Sequence, residues 1–160
     1  MMIEISLIKD ETHYQKQQLD AMRRIFSRNF ITNENLELEK SFKPATPEVR
    51  IHIRLLQGVL PDLLFNALGE DLTDLIRDQG FVNALLQPNS QQTPSLIFQF
   101  MGDFRSYEFR ITTGDEKTLE EGSHKLIQKV LSMLKQEELP PQSADIRFFR
   151  YENGDWSEVR

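Results

Sequence analysis

The chain has 160 residues, a formal net charge of −6 and no cysteine. That length suits one domain, and folding at this size buries roughly 70% of the unfolded chain's surface, enough for a core without staples. The missing cysteines exclude disulfides, thiolate metal sites, iron–sulfur clusters and cysteine nucleophiles, and the acidic balance argues against nucleic acid, whose phosphates are met by a basic face.

Ile3, Ile5 and Leu7 alternate with Glu4 and Ser6, the period of a half-buried strand. This opening apolar stretch is short and lacks a basic leader, so it is read as a strand rather than a signal peptide. No run approaches the ~18 apolar residues of a membrane span. A cytoplasmic protein without membrane attachment is therefore expected. Asp10 and Thr12 offer helix caps, and Thr12 with Gln15 has the spacing of a capping box. Tyr14, Leu19, Met22, Ile25 and Phe26 then recur at helical spacing up to about Asn29.

Two alternating runs follow, Leu36 to Phe42 and Val49 to Leu55, around a turn-forming stretch that contains Pro44 and Pro47. Pairing Phe42 with Val49 sets Leu38 against Ile53 and Leu36 against Leu55. On the other side it sets Glu39 against His52 and Glu37 against Arg54. Apolar parity and charge agree on this register, so a hairpin is expected. Val59 to Leu86 reads as a long helical stretch. Pro61 suits its first turn, Leu60, Leu64, Leu68, Leu72, Leu75 and Ile76 form its stripe, and a break is expected at Gly80.

The polar run from Gln87 to Pro94 is an exposed loop. It is not read as a domain boundary, because neither half alone holds enough elements for a core. Ser95 to Met101 and Phe104 to Thr112 read as strands joined by Gly102-Asp103, a two-residue loop with glycine first. That register sets Phe98 against Tyr107 and Leu96 against Phe109. A helix starts near Thr113 to Glu116, with Leu119, Leu126, Ile127, Val130, Leu131 and Leu134 as its stripe, and Pro140-Pro141 stops it. A last hairpin, Asp145 to Arg160, turns at Asn153-Gly154 and sets Tyr151 against Trp156. The elements predict a single α+β domain over residues 1–160. Its sheet is expected to be largely antiparallel, built from hairpins, with about three helices packed on one face.

Motifs for chemistry are few. Glu121 and His124 share a helix face with Glu120 nearby, yet a carboxylate-bridged metal site needs a second such pair, and there is none. Glu70, Asp71, Asp74 and Asp78 recur at helical spacing, which aims their oxygens outward rather than around an ion. Neither a nucleophile elbow nor a phosphate-cradling glycine loop occurs. No catalytic, cofactor or metal residue is assigned on these grounds.

Arg23, Arg24 and Arg28 form a candidate patch for an anionic partner. Arg50, His52 and Arg54 share a strand face that Glu37 and Glu39 are expected to neutralise. Phe98, Phe100, Tyr107 and Phe109 have the character of a base-stacking sheet but lack the RNA-binding consensus, so they are assigned to the core. Phe148, Phe149, Tyr151 and Trp156 lie on both faces of the last hairpin, and both faces cannot enter one core. Phe149, Tyr151 and Trp156 are therefore candidate interface residues. The function expected is a non-enzymatic protein-interaction or regulatory module whose partner is another protein or a second copy. Its rival is a small-ligand binder or enzyme with His52 beside sheet carboxylates. A third reading is weak nucleic-acid binding through the three arginines.

Overall fold

The computed structural model of the chain describes residues 3–29, 43–55, 62–101, 106–136 and 146–159. Ten elements follow one another: β1 (Ile3–Ile8), α1 (Lys16–Asn29), β2 (Glu48–Leu55), α2 (Asp62–Arg77), α3 (Gln79–Leu85), β3 (Ser95–Met101), β4 (Ser106–Thr112), α4 (Glu116–Gln136), β5 (Ile146–Glu152) and β6 (Asp155–Val159). The six strands form one sheet in the order β1-β2-β3-β4-β5-β6.

The α+β class holds, but the sheet is mixed rather than largely antiparallel, and the described residues form four helices where about three were expected. β1/β2, β3/β4 and β5/β6 are antiparallel, while β2/β3 and β4/β5 are parallel. The reason is connection length. α2 and α3 stand between β2 and β3, and α4 stands between β4 and β5. A helical crossover carries the chain back to the end where it began, so the next strand runs parallel.

The first expected hairpin is replaced by a different pairing. β2 has β1 on one edge, with Ile5 opposite Ile53, and β3 on the other, with Ile51 opposite Phe98. No edge remains for the 36–42 segment over this length; that segment lies outside the described residues. The second hairpin forms with its register moved by two residues. Phe98 faces Phe109, Leu96 faces Ile111 and Phe100 faces Tyr107. Met101 is opposite Ser106, and the connection expected at Gly102-Asp103 lies outside the described residues. A shift of two keeps every side chain on its expected face. The third hairpin has the expected register, Tyr151 opposite Trp156.

One core holds the layers together. Leu7, Ile51, Phe98, Phe109 and Phe149 come from one face of the sheet, and Met22, Leu72, Phe81 and Leu126 from the four helices. Both parallel connections step across the sheet in the same direction, and crossovers of the usual right hand then fall on the same side.

Local chemistry sets the helix limits. Gln15, not Thr12, precedes α1, and its N–H is accepted by Gln18 Oε1 at 2.8 Å. This is the reach-back half of a capping box, three residues later than expected. The break between α2 and α3 is made by Asp78, whose Oδ1 accepts from Gly80 N at 2.9 Å and Phe81 N at 3.2 Å. Gly80 itself belongs to the first turn of α3.

Candidate functional site

The last hairpin turns at Asn153 (φ 54°) and Gly154 (φ 79°), the left-handed conformation that this dipeptide tolerates. Alternation then sends Phe149, Tyr151 and Trp156 toward the helices. Phe149 stacks on Phe109 with ring centres 4.8 Å apart, and Trp156 meets Phe109 edge-on at 5.4 Å. The indole Nε1–H donates to Gly122 O at 2.9 Å. Phe149 and Trp156 keep 3% and 4% of their surface. They are core residues. The expectation that placed them at an interface needs correction: α4 covers them, and the sequence had no sign of which hairpin face α4 would take.

Gly122 makes that cover tight. A Cβ there would sit 2.5 Å from Ile111 Cδ1 and 3.3 Å from the Tyr151 ring. Tyr151 closes the margin of the cluster and donates its hydroxyl to Glu121 at 2.8 Å. Burial first, then Glu121, pushes the Tyr151 phenol up to about 12. The same hydrogen bond, with help from Lys125, holds the Glu121 carboxyl below its usual range. Glu121 thus serves the hairpin, and the exposed His124 is not brought to it as a metal pair. Among the described residues no group of three or more metal-ligating side chains assembles.

The opposite face of the sheet carries no described helix. On it, at the β5–β6 end, Ile146 and Phe148 are each 44% exposed and Val159 is 39% exposed. Phe148 and Val159 are direct cross-strand partners, and Ile146 is two residues along β5 on the same face. The sequence assigned aromatics to both hairpin faces correctly. Parity alone places Ile146 and Phe148 together, but it cannot say which face the helices leave open.

Toward the middle of this open face the residues are charged and paired. Glu48 lies between Arg110, at 2.8 Å, and Arg50, at 3.3 Å, and Arg50 also reaches Glu108 at 3.1 Å. Ile97 stands between Arg50 and Arg110 in the register and is fully buried. His52 faces Ser6 and Gln99, not carboxylates. Burial, then Arg50 and Arg54, pulls its imidazole below the usual histidine value. Among the described residues the expected grouping of His52 with sheet carboxylates is not formed: its charged neighbours there are Arg50 and Arg54.

The β6 edge is blunted. The N–H of Trp156 is accepted by Asp155 Oδ1 at 2.8 Å, so a main-chain donor of the edge strand is already occupied. Arg23, Arg24 and Arg28 are exposed on α1, across the sheet from Phe148. Arg28 stands in the last turn, where a cation meets the negative end of the helix. In the acidic face of α2, burial and then Asp74 and Glu70 push the Asp71 carboxyl up. No described helix is long and apolar enough to cross a membrane. Comparison with protein-family models, curated proteins and solved structures found no match.

Proposed function

We propose that the chain is a non-enzymatic protein-interaction module that meets its partner with the open sheet face at β5 and β6. The observation that carries this reading is the exposure of Phe148 beside Ile146 and Val159. Three large apolar side chains grouped on one face are unlike scattered surface apolar residues, which need no explanation. An aromatic with few rotatable bonds gives contact area at low entropic cost, which is why such residues are favoured at interfaces. The hairpin is also a rigid support, since Phe149, Tyr151 and Trp156 anchor its other face to α4.

A photo-crosslinking amino acid at Phe148 tests the reading in cells that express the protein. A discrete protein adduct at Phe148, absent when the crosslinker replaces Arg24 on α1, is expected. The reading fails if Phe148 yields no adduct.

A further inference from the structure

The charges on the open face point to what covers it. The described side chains there are Arg50, Arg54, Arg110 and Arg150 against Glu48, Glu108, Glu152 and Asp155, four of each sign. The whole chain carries −6. Two copies meeting through a surface of one sign repel each other, whereas the described charges of this face are of both signs and balance. Glu48, Arg50, Glu108 and Arg110 are already paired in the plane of the sheet. Covering paired charges costs less than covering lone ones, because each keeps its counter-charge when water leaves.

Size agrees. Six strands at about 4.8 Å and seven residues at about 3.3 Å make a footprint of roughly 670 Å². A standard interface takes about 800 Å² from each partner, and a corrugated surface buries more than its plan area. The apolar cluster alone is too small for this, so the charged middle must be covered with it. The edge of β6 is a poorer route, because Asp155 occupies the Trp156 N–H.

We infer that the partner of this face is a second copy of the same chain, joined in a two-fold dimer through the two open sheet faces. A two-fold contact uses one patch twice, which a face of mixed sign permits. The inference rests on the interaction reading above and adds the identity of the partner.

Sedimentation equilibrium of the purified chain is the test, together with oxidation of Phe148→Cys. The native chain has no cysteine, so any disulfide must join two copies. Wild type is expected at twice the 18.8 kDa of one chain, and Phe148→Asp at half the wild-type mass with an unchanged circular dichroism spectrum. Phe148→Cys is expected to form a disulfide dimer that Arg24→Cys does not. A wild-type mass of one chain at millimolar concentration overturns the dimer. So does a wild-type dimer that survives Phe148→Asp while Phe148→Cys stays unlinked. If the purified chain is monomeric and the cellular adduct contains a different protein, the self-pairing is wrong and the interaction reading stands. If no adduct forms, the interaction reading itself is wrong.

Discussion

Asp10 shows how much one side chain can hold. It is fully buried, and its Oδ1 accepts from the N–H groups of Thr12 and His13, each at 3.0 Å. Its Oδ2 accepts from Glu48 N at 3.0 Å and pairs with His13 Nδ1 at 2.9 Å. The carboxylate thus fastens the end of β1 to the start of β2. In the sequence Asp10 is legible only as a local cap, since nothing there links it to Glu48. Asp10→Ala leaves the buried Glu48 N–H without an acceptor, at about 1–3 kcal/mol, and strips the part-buried N–H groups of Thr12 and His13 of theirs. A loss of about 3 kcal/mol is expected by urea unfolding, a large part of an ordinary domain's stability. A loss below about 1 kcal/mol would contradict this role.

His52 adds a pH dependence at the same scale. Its folded value lies below the ordinary 6.5, because burial and then Arg50 and Arg54 oppose the cation. Below pH 6.5 the unfolded chain therefore binds a proton that the folded chain resists, and stability falls as pH falls through that window. His52→Gln is expected to flatten this part of the profile of unfolding midpoint against pH. An unchanged slope in the variant would assign the dependence to other groups.

Elements differ in how far their pairing is written locally. The Asn153-Gly154 turn sets its own register, because two adjacent residues with positive φ leave the flanking strands one way to meet. Gly102-Asp103 carried a weaker signal, and the described strands on either side of it pair in a register moved by two residues. The alternation of β2 was legible, but its partners were not. A strand with apolar residues on alternate positions fits any neighbour of matching parity, and β1 and β3 supplied the two that exist. At this scale Trp156→Ala is expected to act as a core truncation. It removes the edge-on contact with Phe109 and the bond to Gly122 O. A cost of about 3–5 kcal/mol is expected by denaturant unfolding. A loss of association in that variant therefore reports a damaged hairpin, whereas Phe148→Asp addresses the outer surface directly.

For the whole molecule the decisive feature is that four helices share one core with one sheet face. The other face carries no described helix; the described charges in its middle are paired within the sheet, and the proposed dimer would cover that middle together with the β5–β6 end. A dimer through this face also predicts an unfolding midpoint that rises with protein concentration, since mass action favours the associated folded state. Phe148→Asp removes that rise.

The sequence by itself determined the class of each described element, the last turn and the face parity of the strands. These depend on residues a few positions apart, where period and turn chemistry are decisive. Only the tertiary structure decided that the sheet is mixed, that β2 lies between β1 and β3, and that Phe149 and Trp156 are covered while Phe148 is not. Parity divides a strand into two equal faces, and it takes the packing of a distant helix, here α4 through Gly122, to bury one of them.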